Sequence, residues 1–337
     1  MLKRIQTMMA LLVATLVLIG PAAAAEDVLN PPELSFGIIS TESTSELKKN
    51  WMPFLQDMSA ALSMPVKPFF ASDYAGVIEG MRFKKVHVAW FGNKSAIEAV
   101  DRANGEVFAQ QVDVDGNPGY WSLIITHKDT GLESMDDVIK RGKTLDFGNG
   151  DVNSTSGYLI PSYYLWTVEY GIDPKQHFKT VRNANHSANL MAVAMKQVDF
   201  ATNNTERIKK FKKQNPELAQ NIKILWKSPL IPSDPLVWRK DLDRELKSKI
   251  KGFVLAYGRS GDNKAHALKV LAGLDLAPYW DSSNKQLIPI REIKYAKEKM
   301  KVAHDENIST AAKQEKLKAI DAKIAEVRQF SDMMDRY

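Results

Sequence analysis

The run Leu34-Ser35-Phe36-Gly37-Ile38-Ile39, followed by Ser45 to Leu62 and then by Val66-Lys67-Pro68-Phe69-Phe70, decides the fold class of this chain. The first and third pieces are short and apolar, as strands are. Between them Leu47, Trp51, Phe54, Leu55, Met58 and Leu62 recur at helical spacing. The pattern repeats downstream, with a helix over Ala75 to Phe83 and a strand over Val86 to Trp90. Beyond Tyr120, strand signals near Leu123, Leu145 and Val198 alternate with helix signals at 134–141, 157–170 and 187–196. Such alternation predicts an α/β protein, a mostly parallel sheet covered by helices.

Two segments echo each other. Lys85-Val86-His87-Val88-Ala89 leads toward Asn93, and Gln197-Val198-Asp199-Phe200-Ala201 leads toward Asn203 and Asn204. Each reads as a strand delivering a polar loop at its carboxyl end, where open α/β sheets bind ligands, or as a coincidence of common α/β patterning. The final stretch, 291–337, contains no Gly or Pro, and Leu317, Ile320, Ile324, Val327 and Met334 fall near a heptad seam broken at Ser331. It reads as a helix packed on its own lobe or as one that pairs with a second copy of the chain.

The chain has 337 residues, enough for two lobes with a core each. Its 46 basic and 40 acidic residues are interspersed, and no basic run is interleaved with aromatics, which argues against nucleic-acid binding. The absence of cysteine excludes disulfides, thiolate metal sites, cysteine nucleophiles and a lipid anchor on an N-terminal cysteine. Lys3 and Arg4 precede an apolar stretch from Met8 to Ile19, followed by Gly20-Pro21 and Ala23-Ala24-Ala25. This is the pattern of a cleaved secretory signal over 1–25, too short for the roughly 20 apolar residues of a membrane span. Cleavage near Ala25 takes two positive charges from the formal +6 and leaves a soluble, exported protein, with the periplasm its expected compartment.

Most catalytic signatures are missing. Asn153 stands where a dinucleotide fingerprint needs its third glycine, and Asp137 where a P-loop needs its first. No histidine pair has zinc-site spacing and no serine sits in a nucleophile elbow, so a secreted phosphoester hydrolase has little support. What remains is Ser154-Thr155-Ser156 at the start of a helix signal that contains Pro161. Three hydroxyls with the free N–H groups of a helix N-terminus make a neutral anion cradle, though capping alone explains one of them. His186 reads as a donor to the same anion or as a surface histidine. Tyr74, Tyr120 and Trp121 read as cleft aromatics or as core. Glu206 and Asp234 read as solvated acids or as a pair converging on an ammonium group.

Taken together, Phe36-Gly37-Ile38-Ile39-Ser40-Thr41-Glu42, Asp73-Tyr74-Ala75-Gly76, Gly119-Tyr120-Trp121-Ser122, Asn153-Ser154-Thr155-Ser156-Gly157, Ala201-Thr202-Asn203-Asn204-Thr205-Glu206 and the run from Ser228 to Arg239 resemble the periplasmic phosphonate-binding proteins of ABC transporters. The resemblance spans about Leu34 to Arg291. It implies a two-lobed, type II-like solute-binding fold: lobe 1 over 26–122 and 236–290, lobe 2 over 123–235, two crossing segments, a ligand cleft between the lobes and a C-terminal helical segment over 291–337. Carried over by position, it implies that Ser154, Thr155, Ser156, Tyr120 and His186 hold the phosphonate, that Glu206 and Asp234 hold the amino group of 2-aminoethylphosphonate, and that Tyr74 lines the cleft. Neutral donors would then hold the dianion without a buried permanent cation. The implied role is capture and delivery to an ABC permease, without catalysis, cofactor or metal; phosphite, phosphate or an alkylphosphonate is the alternative ligand.

Overall fold

The protein is described by a computed structural model covering residues 28–334, so the signal segment 1–25 lies outside the described residues. Among the described residues thirteen strands follow one another: β1 (Leu34–Ile38), β2 (Val66–Phe70), β3 (Val88–Trp90), β4 (Gly105–Asp113), β5 (Gly119–Tyr120), β6 (Ser122–His127), β7 (Asp146–Gly150), β8 (Thr180–Ala184), β9 (Phe200–Asn204), β10 (Ile222–Lys227), β11 (Ile231–Pro232), β12 (Pro235–Arg239) and β13 (Leu276–Asp281). They form two main sheets, ordered β13-β4-β12-β3-β1-β2 and β10-β6-β9-β7-β8. The first is built from the chain's beginning and from its return after residue 234; the second lies wholly between them.

Helices cover both faces of each sheet, as the alternation predicts. The helix Thr44–Leu62 is capped by Ser43, whose Oγ accepts from Glu46 N, and it turns Leu47, Trp51, Phe54, Leu55 and Met58 inward. With Leu246, Ile250 and Val254 of the helix Arg244–Ala256 they bury one face of the large sheet. On the other face Val77, Ile78 and Met81 of the helix Tyr74–Arg82 join Ala96 and Ile97 of the helix Asn93–Arg102. That same apolar cluster takes in Leu159 and Ile160 of the second lobe, so the lobes are packed together.

The expected mostly parallel arrangement is corrected to two mixed sheets. Strands β1–β2, β1–β3, β7–β8 and β7–β9 pair in parallel. Strands β12 and β13 enter the large sheet antiparallel, and β6 runs antiparallel to β9 and β10. The cause is the double crossing: a chain that leaves one sheet to build another returns against the direction of its first strands.

The two crossings meet. Strand β5 pairs with β11, Tyr120 opposite Ile231 and Gly119 opposite Pro232, forming a two-stranded ribbon between the lobes. A Cβ on Gly119 would stand 2.0 Å from the Ile231 carbonyl oxygen, far inside contact distance. Gly119→Ala is therefore expected to break this ribbon and to weaken ligand binding at least tenfold while both sheets still form. Titration calorimetry checks it, and unchanged affinity would show that the ribbon gives way freely.

Helices also end the chain. Ile288–Ala303 is followed by Thr310–Met334. Ile320 is buried, and Lys299–Asp321 and Arg328–Glu292 ion pairs join the two. The seam thus has a neighbour within its own chain, while Met334 lies among the residues whose side chains are not described.

Candidate functional site

Between the lobes lies a cavity of about 110 Å³, room for a molecule of several heavy atoms. The site residues that the resemblance implies all line it: Tyr74 and Asp234 from the first lobe and its return crossing, Tyr120 from the ribbon, and Ser154, Thr155, Ser156, His186 and Glu206 from the second lobe. Trp121, read as a cleft aromatic or as core, is half-buried outside the cavity, with the Lys227 ammonium 3.8 Å from its ring centroid.

The hydroxyl cluster sits where β7 turns into a helix of unusual pitch. Thr155–Leu159 and Ser162–Glu169 are π-helical, with Pro161, which has no N–H to give, between them. Gly150 permits the tight start, since a Cβ there would lie 2.4 Å from Gly157 O. Ser154, Thr155 and Ser156 are all buried. Ser154 acts as the cap, its Oγ accepting from Gly157 N at 3.0 Å, and the same residue lines the cavity. Thr155 Oγ1 accepts from Lys94 N at 2.9 Å, across the cleft at the first turn of the helix Asn93–Arg102. Ser156 Oγ accepts from Asn204 Nδ2 at 3.2 Å.

His186 is no surface residue. It opens the helix His186–Ala194, is buried, and its Nε2 stands 3.4 Å from Ser154 Oγ, Ser156 Oγ and Asn204 Nδ2 alike. Its Nδ1 is buried without a partner. Burial, then the Arg207 charge, brings its pKa down to about 4, so the ring is neutral at pH 7. A group depressed in this way costs stability as pH falls from its unfolded value near 6.5 toward 4, because only the unfolded chain gains the proton. Wild type is accordingly expected to lose about 2 kcal/mol relative to His186→Gln between pH 7 and pH 5. Urea unfolding at the two pH values measures this; parallel behaviour of both proteins would mean the ring is protonated in the folded state.

The acids line the same cavity. Asp234 is buried and accepts from Tyr120 Oη at 2.9 Å, so in this structure Tyr120 serves the carboxylate. Burial lifts the Asp234 carboxyl to about 7, against hydrogen bonds from Tyr120 and the Asn93 N–H and the nearby Trp90 indole, whose Nε1 makes no well-formed bond of its own. Glu206 lies in the first turn of the helix Thr205–Gln214 and keeps part of its surface toward the cleft. Burial on its other sides, then the Asp234 charge, raises it well above the carboxylate range. Burial, and then the Asp151 and Asp234 charges, likewise raise the Tyr74 phenol.

Sequence reasoning missed several members. Asn204 and Trp90 end the strands that were read as delivering polar loops, which was the available signal. Arg207 corrects the expectation of a site without a buried cation: it is 8% exposed and lines the cavity. Its charge is matched by Glu42, with Nη1 3.3 Å from Oε2. Glu42 also takes Lys210 at 2.5 Å, Lys213 meets Asp275 at 2.7 Å, and Lys209 reaches Asp113. One basic helix face of the second lobe thus holds the acids of the first, and the lobes are closed.

Two α/β lobes joined by two crossings and shut upon a small polar cavity define a solute-binding protein of the two-lobed kind. The matching family model, described as the periplasmic substrate-binding protein of the phosphonate ABC transporter, covers residues 36–287. The chain belongs to that family. It is 49% identical over 319 residues to the phosphonates-binding periplasmic protein of Escherichia coli strain K12, covering 95% of this chain and 90% of the relative. A crystal structure of a binding-protein component of the ABC phosphonate transporter of Pseudomonas aeruginosa is similar at 48% identity and TM-score 0.86, covering 91% of this chain and all of that one. A Prochlorococcus marinus protein in complex with methylphosphonate is similar at 26% identity and TM-score 0.69, covering 79% and 98%.

Proposed function

We propose that this protein captures organophosphonates in the periplasm, 2-aminoethylphosphonate above others, and delivers them to the permease of an ABC importer. The observation that carries the ligand choice is one cavity lined both by three buried hydroxyls and by two carboxyls raised by burial. In this reading Ser154, Thr155, Ser156 and His186 receive the phosphonate, with Tyr120 and Tyr74 beside it. The N–H of Lys94 and the dipole of its helix add positive potential from the opposite lobe. Glu206 and Asp234 receive the ammonium. A ligand without it leaves two desolvated acids unpaired, which costs a few kcal/mol, on the order of a hundredfold in affinity.

The division into lobe 1 (26–122, 236–290), lobe 2 (123–235) and a C-terminal segment (291–337) belongs to the same proposal, as does export by cleavage near Ala25. Packing of the last helix against Ile288–Ala303 favours support within one chain over pairing of two copies. Binding leaves the ligand chemically unchanged, since the protein's task is to hold and release it.

Calorimetry on the chain from Glu26, with 2-aminoethylphosphonate, methylphosphonate and phosphate side by side, is the test. The amino compound is expected to bind at least tenfold tighter than the others, and its binding at pH 6 to release a proton from the acid pair. Equal binding of all three would withdraw the roles of Glu206 and Asp234; no binding would withdraw the ligand class.

A further inference from the structure

The residues that line the cavity differ in their access to solvent. Around the hydroxyls, Ser154, Thr155, Ser156, Tyr74, Tyr120 and His186 are each at most 5% exposed. There the lobes are tied by Thr155 to Lys94 N, by Asp151 accepting from Tyr74 N at 3.2 Å and by Ser187 N donating to Thr41 O at 3.2 Å. Asp234 is buried too, at 7%, but elsewhere the lining is half-open: Asn50, Leu274, Asp275, Lys209 and Glu206 all keep part of their surface, Lys209 and Asp275 while holding ion pairs across the lobes. The charge of Asp275 acts on Glu206, and Leu274 and Asp275 line the same cavity. Trp90, whose indole acts on Asp234, stacks on Trp51 with ring centroids 5.3 Å apart, and both rings line the cavity.

We infer that the cleft is sealed around phosphorus and open past nitrogen, so that the protein accepts aminoalkylphosphonates alkylated on the nitrogen while rejecting esters of the phosphonate. The inference rests on the ligand reading above. An ammonium has three N–H donors, and two carboxylates use two of them. The third hydrogen can be replaced by an alkyl group directed past Glu206 toward Asn50 and Leu274, with the positive charge kept. The stacked indoles offer that cation an aromatic face and its substituent an apolar wall. Esterification at phosphorus instead removes a charged oxygen and drives a methyl group against buried hydroxyls, which it leaves without an acceptor.

Calorimetry with 2-aminoethylphosphonate, its N-methyl and N-propyl derivatives and its phosphonate monomethyl ester tests this on the mature chain. Both N-alkyl compounds are expected within about tenfold of the parent, and the ester at least a hundredfold weaker. Asn50→Trp, which fills the half-open part of the lining, is expected to weaken the N-propyl compound at least tenfold and the parent less than threefold; Leu274→Trp does the same if Asn50→Trp fails to fold. Tight binding of the parent with N-methyl binding as weak as the ester overturns the inference alone. So does an equal loss of parent and N-propyl binding in the filled variants. Failure of the parent itself to bind overturns the ligand reading beneath it.

Discussion

Glu206→Gln is expected to weaken 2-aminoethylphosphonate by roughly ten- to a hundredfold and to leave methylphosphonate unchanged or slightly improved. A charged hydrogen bond of this kind is worth about 1.5–3 kcal/mol, which sets the first figure. The second follows from what the acid does when it has no cation. Burial and the Asp234 charge hold the Glu206 carboxyl well above its ordinary range, so it is a cost to the protein that an ammonium relieves and a methyl group does not. An uncharged amide keeps the shape and removes that cost. The two ligands must therefore separate, and calorimetry on both reads the separation. Equal losses would mean that Glu206 shapes the cleft without meeting the amine.

Arg239→Ala carries the largest expected effect on stability, about 3–5 kcal/mol by urea unfolding. Arg239 is 3% exposed and holds Asp241 through Nε at 2.8 Å and Nη2 at 2.7 Å. Burial pulls the Asp241 carboxyl upward, but the Arg239 hydrogen bond and charge outweigh it and hold the group low. Removing the guanidinium leaves a desolvated carboxylate whose remaining cation is the half-exposed Lys84 ammonium, 3.6 Å away. The Nη1 donates to Met81 O, in the last turn of the helix Tyr74–Arg82, and to Ala103 O, just past the helix Asn93–Arg102. Both helices begin at the cleft, where they present Tyr74 and the Lys94 N–H. A cation at their far ends complements both dipoles and fixes both starts. Arg239→Met with Asp241→Leu should recover much of the lost stability, because the uncompensated charge is then gone as well. A single-variant loss below 1 kcal/mol would mean that water reaches Asp241.

Element identity was legible because it depends on local periodicity. Leu47, Trp51, Phe54, Leu55 and Met58 all point inward on the helix that their spacing predicts. Strand direction was not legible. Every residue of β12 is buried, and such a run looks the same in a parallel or an antiparallel setting. The π-helical pitch after Ser154 was hidden too, since it arises from how backbone carbonyls find donors around Pro161. At the site, three adjacent hydroxyls were visible as a group, and the structure adds that all three are buried, Ser154 and Ser156 beside one histidine and Thr155 turned across the cleft. Arg207 escaped notice because it lies in a helix crowded with lysines, where a charge normally faces water. Its burial depends on Glu42, from a distant part of the chain, and no local pattern encodes that partner.

The ribbon of β5 and β11 makes the passage between lobes a short, mechanically defined element, with Tyr120 in one of its strands and Asp234 just beyond the other. Next to it, residues 114–118 form an exposed turn with Gly116 at a φ of +78°, reached directly from the end of β4. Exposed turns tolerate inserted domains, and this one lies where any rotation of one lobe against the other is transmitted. A circularly permuted fluorescent protein placed there would convert lobe closure into a change of brightness, making the protein a starting scaffold for an optical phosphonate sensor.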